Sequence, residues 1–237
     1  CREAVVRNTD MFEDMTDRMG YWVDMDDAYR TMEPAYVESA WWALSTIFKK
    51  GLLAEDFRVA PYCPRCGTTL SDHELAQGYE TITDPSVYVR FPLTSGPLAG
   101  KASMLVWTTT PWTLVSNTAV AVNPAVTYVS ATDGNETLVV AEPLLAKALG
   151  EGWTPTGDSF SGTDMERWTY ERPFDLVPFP APAHFVVLGD YVTTEDGTGL
   201  VHQSPAFGAD DMTVCKAYDL PVVNPITPDG HFEADVP

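Results

Sequence analysis

Two stretches of the sequence concentrate side chains that could bind a polar substrate and assist its hydrolysis. The first places four threonines and two tryptophans within seven residues and continues to Asn117: Trp107-Thr108-Thr109-Thr110-Pro111-Trp112-Thr113. In the second stretch, a strand-like run ends at His202, and a loop containing Pro and Gly then leads to Asp210 and Asp211. Threonine hydroxyls can donate and accept hydrogen bonds to a ligand or a water, and a carboxylate can bind a cationic amine. The two stretches therefore indicate a candidate site for a polar ligand that carries an amine.

Structural roles would explain the same residues. Threonine is common in strands and turns, and either Asp210 or Asp211 could cap the start of a helix. A single histidine at a strand end is more often a hydrogen-bonded structural residue than a catalyst. The residue types alone leave both interpretations open.

Composition and charge exclude several classes of protein. The 237 residues are 45% hydrophobic and 11% aromatic, which is typical of a globular chain. The formal net charge of −20, from 34 acidic and 14 basic residues, excludes a broad surface that tracks phosphates. No apolar run approaches the roughly 20 residues that span a bilayer, and no secretory segment opens the chain. We expect a soluble, cytoplasmic protein without a membrane partner, and the start at Cys1 suggests a piece of a longer protein.

The cysteines indicate half of a metal site. Cys63 and Cys66 form a CxxC pair, whereas Cys1 and Cys215 stand alone. Structural zinc needs four ligands, and His73 is a candidate third. Four cysteines are too few for a secreted disulfide framework. We expect at most weak zinc binding by this chain.

The sequence predicts helices in its first part. Residues 1–62 have a helical pattern, clearest from Pro34 to Lys50, with Pro34 in the first turn and Gly51 just past the end. Apolar residues at helical spacing predict a core or interface face on this helix, namely Val37, Trp41, Leu44 and Phe48.

The pattern changes to short β-rich runs from about Thr81. Asp133-Gly134 marks a hairpin, and residues 173–182 contain too many prolines for a central strand. Short helices are expected at 143–149 and 209–218. This pattern predicts an α+β chain with peripheral helices around a β-barrel-like core of mostly antiparallel or mixed strands. The predicted strands are Val87–Phe91, Met104–Trp107, Ala119–Val122, Val126–Ala131, Leu138–Ala141, Phe185–Leu188 and Leu200–His202.

At this point a family resemblance becomes specific. The run from Trp107 to Leu114 with Asn117 beyond it, paired with Gly197-Thr198-Gly199-Leu200-Val201-His202 and Pro205-Ala206-Phe207-Gly208-Ala209-Asp210-Asp211, closely resembles the editing domain of isoleucyl-tRNA synthetases. The amino-terminal part agrees, including Gly20-Tyr21-Trp22-Val23-Asp24, Glu38-Ser39-Ala40-Trp41-Trp42 and Pro61-Tyr62-Cys63-Pro64-Arg65-Cys66-Gly67. Related valyl and leucyl enzymes share the fold, but they typically have Thr-Thr-Arg-Pro in place of Thr108 to Pro111 and lack the histidine at 202.

The resemblance implies hydrolysis of mischarged Val-tRNA(Ile), and of valyl-adenylate as a second substrate. Asp211 is implied to bind the α-ammonium group. Thr108, Thr109 and Thr110 are implied to line the site, with Thr110 helping to place the water or the substrate. The bulk of His202 would reject isoleucine; we favour exclusion over general-base catalysis because such a site offers no Ser or Cys nucleophile to activate.

A second group of residues is implied to bind the substrate. Trp112 and Asn117 would shape the pocket and hold the terminal adenosine, and Thr113 and Gly199 complete the group. Valine lacks one methylene of isoleucine, a difference worth about 1–3 kcal/mol in a hydrophobic pocket, a value known for this family rather than derived from this chain. Two alternatives stay open: editing of another substrate, as in valyl or leucyl enzymes, and a non-catalytic module that binds the tRNA 3′ end.

The resemblance also implies how the chain is divided and what it binds. The motifs His-x-Gly-His and Lys-Met-Ser-Lys-Ser are absent from the sequence, so we expect no aminoacylation by this chain alone. Its partners would be the 3′ end of tRNA(Ile), the valine moiety and the remaining synthetase domains, and the chain itself would be monomeric. Editing would need no cofactor; Cys63 and Cys66 could hold zinc in a full-length parent. The expected segments are a helical extension of the synthetic core and its linker (1–62), the CxxC half-site (63–80), the editing domain (81–228) and a tail (229–237).

Overall fold

The computed structural model describes residues 2–233 and 236, and the chain divides into two compact units, Cys1–Phe57 and Arg58–Pro237. The finer division into four segments stays a prediction. No helix in the described part of the chain is both long enough and apolar enough to cross a membrane.

The first unit contains three helices, α1 (Arg2–Val6), α2 (Thr9–Arg18) and α3 (Pro34–Lys49). The predicted start of α3 at Pro34 is confirmed, and Gly51 follows its end with φ +69°. The expectation of helix throughout residues 1–62 was wrong for 20–33 and 51–62, where Tyr62 already belongs to a strand. Gly20 has φ +74°, and the Asp24 carboxylate accepts the amides of Asp26 and Asp27 in a local turn that competes with helix.

The apolar stripe of α3 is exposed. The helix buries none of its residues, and Trp41 and Phe48 are each 67% exposed. The expectation that this stripe forms a core was therefore wrong, whereas its use as an interface stays a prediction. The apolar side chains that the helix exposes are Tyr36, Val37, Trp41, Trp42, Leu44, Ile47 and Phe48.

The second unit is α+β, as predicted. It begins with a ribbon of β1 (Tyr62–Cys63) and β2 (Thr68–Thr69), followed by α4 (Asp72–Ala76), whose capping box is formed by Ser71 and Glu74. The remaining elements are β3 (Val87–Pro92), β4 (Ser103–Thr108), a 3₁₀ helix (Pro111–Ser116), β5 (Ala119–Val122), β6 (Thr127–Thr132), β7 (Thr137–Ala141), a 3₁₀ turn (Glu142–Leu144), α5 (Leu145–Leu149), β8 (Thr154–Ser161), α6 (Gly162–Met165), β9 (Phe185–Leu188), β10 (Leu200–Gln203) and α7 (Ala209–Ala217).

Two sheets form the body of this unit. One has five strands in the order β3-β4-β7-β6-β8, and the other has three in the order β10-β5-β9. Neighbouring strands are antiparallel except for the parallel pairs β4–β7 and β5–β9. The described strands do not close into a barrel, so the barrel-like core is not confirmed.

The main core lies between the two sheets, because alternate residues of each strand point to opposite faces. Val120 and Val122 of β5 join this core with Met104 and Val106 of β4, and all four are fully buried. Ala119 and Ala121 point the other way, into a second cluster that includes Cys215 of α7. On the outer face of the five-stranded sheet, Leu105, Leu138 and Val140 pack against the α5 region.

All seven predicted strands are confirmed to within one residue at each end. The Asp133-Gly134 hairpin joins β6 to β7, where Gly134 has φ +93°. Residues 173–182 contain no strand, as expected. Strand β8 was not predicted; it pairs only with β6, and its register shifts between Val129 and Ala131.

Candidate functional site

The threonine-rich stretch forms a bend at the end of β4. Thr108 is the last residue of the strand and is buried, whereas Thr109 and Thr110 are exposed. The amide of Thr110 donates to Thr108 Oγ1 at 3.1 Å, and the two hydroxyl oxygens lie 3.4 Å apart. Pro111 then begins the 3₁₀ helix, since its ring fixes φ for a first helical position. The bend therefore groups two hydroxyls and leaves a third exposed beside them.

The second stretch joins strand β10 to helix α7. His202 lies on β10 opposite Val120 of β5, and Asp211 lies in the first turn of α7. The amide of Ser204 donates to Asp211 Oδ2 at 2.8 Å, so the carboxylate fixes the loop that precedes its own helix. A further hydrogen bond of 2.8 Å between the hydroxyls of Ser116 and Ser204 holds this loop against the end of the 3₁₀ helix that follows the threonine bend.

The two stretches meet around one cavity of ≈ 400 Å³. The three groups singled out by the sequence, which are the threonine bend, His202 and Asp211, all line it. The complete lining is Trp107, Thr108, Thr109, Thr110, Trp112, Thr113, Val201, His202, Ser204, Phe207, Gly208 and Asp211. The cavity lies where β4 of one sheet and β10 of the other both end.

A chain of hydrogen bonds holds the imidazole of His202. Its Nε2 lies 2.8 Å from Thr113 Oγ1, and its Nδ1 lies 2.9 Å from Asn117 Nδ2. Thr113 Oγ1 donates its only proton to the carbonyl of Thr110 at 2.8 Å. Asn117 Nδ2 also donates to the carbonyl of Ala119 at 2.9 Å. Both ring nitrogens are thus engaged by protein atoms.

These contacts select one protonation state. Because the Thr113 proton is given to Thr110, His202 Nε2 must carry the proton between His202 and Thr113. Because Asn117 Nδ2 is a donor, Nδ1 must accept. A charged imidazole would place two donors against each other at Asn117. Burial lowers the pKa of His202 to about 4, which likewise keeps the ring neutral near pH 7.

Asp211, in contrast to His202, is ionised near pH 7. Burial raises the pKa of Asp211 to about 6, against the opposing effect of the Ser204 amide, and the neighbouring Asp210 adds to the rise. Among the basic side chains that the structure describes, none forms an ion pair with this carboxylate. A cationic group entering the cavity would therefore find an uncompensated acceptor.

The other predicted substrate-binding residues occupy different positions. Trp112 lines the cavity at its exposed edge, and its ring contacts Phe207 edge-on at 4.8 Å between ring centroids. Thr113 also lines the cavity, and its hydroxyl contacts the imidazole of His202. Asn117 is 1% exposed and lies behind His202 rather than in the lining. Gly199 is also outside the lining; it is buried, with φ +75°, and a Cβ there would lie 2.4 Å from Ala141 Cβ.

Tyr170 is a site residue that the sequence did not indicate. Its hydroxyl donates to Asn117 Oδ1 at 2.6 Å, which extends the hydrogen-bond chain behind His202. Fifty-three positions separate the two residues, and no local pattern signals a contact over that distance.

The CxxC pair lies in the β1–β2 ribbon, where Gly67 has φ +66°. The amide of Cys66 lies 3.4 Å from Cys63 Sγ, and this contact lowers the pKa of the Cys63 thiol. The two thiols could supply half of a tetrahedral set. Among the described residues, no three His, Cys, Asp or Glu side chains are grouped closely enough to hold a metal ion, so His73 does not join them.

Comparison with known proteins defines the class. The family model described as "tRNA synthetases class I (I, L, M and V)" matches residues 1–193. The chain therefore belongs to the class I tRNA synthetase family.

Within that family, the resemblance to isoleucyl-tRNA synthetases is confirmed. The chain is 76% identical over 237 residues to an isoleucine–tRNA ligase from Streptomyces coelicolor and 75% identical over 233 residues to one from Thermobifida fusca. These alignments cover 100% and 98% of this chain, but only 23% and 22% of the relatives. The chain thus spans less than a quarter of the length of the curated relatives it matches.

Two solved structures resemble this chain more distantly. The crystal structure of GlLeuRS-CP1 covers 51% of this chain and 53% of its own, with 21% identity and a TM-score of 0.43. The P. knowlesi cytosolic leucyl-tRNA synthetase editing domain covers 50% of this chain and 52% of its own, with 12% identity and a TM-score of 0.41.

Proposed function

We propose that this chain hydrolyses the ester of mischarged Val-tRNA(Ile), with valyl-adenylate as a second substrate. The observation that carries the proposal is the convergence of the threonine bend, His202 and Asp211 on one cavity. These groups are up to 103 positions apart in the sequence, between 108 and 211, and would have no reason to converge if each merely stabilised its own turn. The similarity to isoleucine–tRNA ligases supports the choice of substrate class.

The reaction needs a placed water and a fixed substrate. Water adds to the ester carbonyl carbon, the bond from that carbon to the ribose oxygen breaks, and a proton passes to the ribose oxygen. The products are valine and a tRNA with its terminal hydroxyl restored. Asp211 would bind the α-ammonium group, and the hydroxyls of Thr108 to Thr110 would hold the water or the carbonyl. Positioning of this kind can supply much of a rate enhancement.

The hydrogen bonds of His202 support exclusion over general-base catalysis. Thr113 and Asn117 engage both ring nitrogens, so neither is left to accept a proton from water. Ser204 lines the cavity as well, but its hydroxyl is engaged by Ser116 rather than by His202. The ring would act as a neutral, fixed wall beside the valine side chain, and one additional methylene would collide with it.

The decisive experiment compares two tRNAs. We expect the 237-residue chain to deacylate Val-tRNA(Ile) and to leave Ile-tRNA(Ile) intact. Asp211→Ala should abolish the hydrolysis, and Asp210→Ala, which removes an exposed carboxylate from the same helical turn, is the matched control and should retain it.

Other outcomes would contradict the proposal in different ways. Hydrolysis of a different mischarged tRNA in preference to Val-tRNA(Ile) would favour the specificity of a valyl or leucyl enzyme. Binding of the tRNA 3′ end without hydrolysis, measured on the same preparation, would identify a non-catalytic module. The zinc site of a longer parent, the remaining synthetase domains as partners and the monomeric state of this chain stay predictions.

A further inference from the structure

Tyr170 lies outside the cavity yet ends the hydrogen-bond chain that reaches it. The side chain is 4% exposed, and its ring packs edge-on against Phe91 at 5.2 Å. Its amide donates to the carbonyl of His184 at 3.2 Å, and Leu93 forms a bridge with it across the sheet edge. The backbone and ring are thereby fixed, so the hydroxyl is held at 2.6 Å from Asn117 Oδ1.

The hydroxyl of Tyr170 and the carbonyl of Ala119 together determine which way the amide of Asn117 faces. With Oδ1 toward Tyr170, the Nδ2 group donates to both Ala119 and His202, and every contact joins a donor to an acceptor. In the flipped orientation, Oδ1 would face the carbonyl of Ala119, and Nδ2 would leave the Tyr170 proton without an acceptor. A buried polar group left without a partner is costly, so the first orientation is selected.

The orientation of Asn117 in turn decides where the proton of His202 resides. An Nδ2 donor requires an unprotonated Nδ1, and the remaining proton on Nε2 is the one that Thr113 accepts. A flipped amide would present an oxygen to Nδ1 and would favour a proton there. The ring would then bring a different hydrogen-bond pattern, or a positive charge, to the wall of the cavity.

We propose that Tyr170 is a positioning residue that sets the tautomer and orientation of His202 through Asn117, and so helps the cavity to reject isoleucine. The effect on specificity rests on the editing function proposed above. The effect on the imidazole does not, since it follows from the hydrogen bonds alone.

Nuclear magnetic resonance of the imidazole nitrogens tests the first part directly. The chain has four histidines, so uniform ¹⁵N labelling of histidine gives few signals, and a His202→Gln variant assigns the relevant pair. In the wild-type chain near pH 7 we expect Nε2 protonated and Nδ1 unprotonated, in a single form. In Tyr170→Phe we expect averaged shifts from a mixture of tautomers.

Tyr128→Phe is the matched control. Tyr128 is fully buried, and its hydroxyl donates to the carbonyl of Gly199 at 2.8 Å and accepts the amide of Asn123 at 2.9 Å, without contact to His202. We expect its His202 shifts to match the wild type. A wild-type ring protonated on Nδ1, or shifts unchanged by Tyr170→Phe, would overturn the proposal.

A second variant covers the case in which Tyr170→Phe fails to fold. Asn117→Asp keeps an oxygen as the acceptor for Tyr170 and places a second oxygen against Nδ1 of His202. We expect the proton to reside on Nδ1 in this variant, with or without a second proton on Nε2. An unprotonated Nδ1 would contradict control of the ring by the side chain at position 117, and with it the role of Tyr170.

Hydrolysis measurements test the second part. For Tyr170→Phe we expect the rate on Ile-tRNA(Ile) relative to that on Val-tRNA(Ile) to rise by roughly three- to tenfold, the size expected for losing one neutral hydrogen bond. Tyr128→Phe should leave the ratio unchanged. An unchanged ratio in Tyr170→Phe, in a chain that does hydrolyse Val-tRNA(Ile), would overturn the specificity role. Absence of all hydrolysis in the wild type would count against the editing function, whereas the nitrogen shifts would still decide the role of Tyr170.

Discussion

Two walls of the same cavity differ in how far protein atoms pair their polar groups. At the His202 wall, each nitrogen of the ring is engaged by a protein atom and the ring is neutral. At the Asp211 wall, a buried carboxylate receives the Ser204 amide, and burial raises its pKa to about 6. The first wall is complete without a ligand, and the second is not. In the proposed function, the His202 wall would limit the size of the substrate side chain, and the Asp211 wall would bind the substrate ammonium group.

Removing the charge at Asp211 should produce the largest effect. Asp211→Asn should lower kcat/KM for Val-tRNA(Ile) by on the order of 10²–10³, because the substrate ammonium would be buried without a counter-charge. The same change should raise the free energy of unfolding at pH 7 by on the order of 1–3 kcal/mol. The pKa of this carboxyl rises on folding from 3.8 to about 6, so its ionised form opposes folding above pH 6.

Deacylation kinetics and denaturant unfolding of the same preparations would measure both effects. Asp210→Asn serves as the control for a change of one charge. If Asp211→Asn lost activity and stability together, the carboxylate would be a structural cap rather than a binding group.

Truncating the other wall should change specificity rather than rate. His202→Ala should increase hydrolysis of Ile-tRNA(Ile) by about 10- to 100-fold and alter hydrolysis of Val-tRNA(Ile) by only a few-fold, because the proposed role of the ring is to exclude one methylene. Parallel deacylation assays on the two tRNAs give the result. Loss of both activities would instead assign a catalytic role to the imidazole, and continued rejection of isoleucine would remove His202 from the selection.

The pH dependence of kcat/KM should also distinguish Asp211 from His202. Protonation of Asp211 removes its charge, so kcat/KM for Val-tRNA(Ile) should fall about tenfold per pH unit below about pH 6. His202, with its pKa lowered to about 4, stays neutral over most of that range and should contribute nothing. The profile is measured between pH 4.5 and pH 8 on the folded chain, and a kcat/KM that stays level down to pH 4.5 would contradict a role for the charge of Asp211.

A small displacement of the carboxylate should give the smallest effect. A Cβ at Gly208 would lie 2.8 Å from Asp211 Cγ, so Gly208→Ala should move this side chain and lower kcat/KM by about three- to tenfold. Gly78→Ala is the matched control, because the nearest atom to its Cβ is 3.8 Å away. Wild-type kinetics in Gly208→Ala would show that the position of the carboxylate tolerates such a shift.

Much of this arrangement could be predicted from the sequence because it depends on local signals. The seven predicted strands have β-rich runs bounded by turn residues, and Gly51 and Pro34 mark the ends of α3. Strand β8 escaped prediction because Pro155 and Gly157 interrupt it, and its pairing with β6 depends on a distant partner. The helical expectation for 51–62 failed because Gly51, with φ +69°, ends α3, and most of the residues that follow it are exposed, so little packing would support a further helix.

The candidate site shows the same limit. The threonine bend, His202 and Asp211 could be named from the sequence, but the position of Asn117 behind the imidazole could not. Its amide spans contacts 2, 53 and 85 positions apart along the chain. Such pairings arise from the packing of the two sheets, which no sequence pattern in this chain specifies.

Gly199 bears on how the width of the cavity is maintained. It lies where the end of β7 meets the start of β10, and a single methyl group added there would overlap Ala141. His202 follows three positions later, about 10 Å along an extended strand. A larger side chain at 199 would push β10 away from the five-stranded sheet and carry the imidazole with it. The absence of a side chain at Gly199, a position outside the cavity lining, therefore helps to hold His202 in place and to keep the cavity at its observed width.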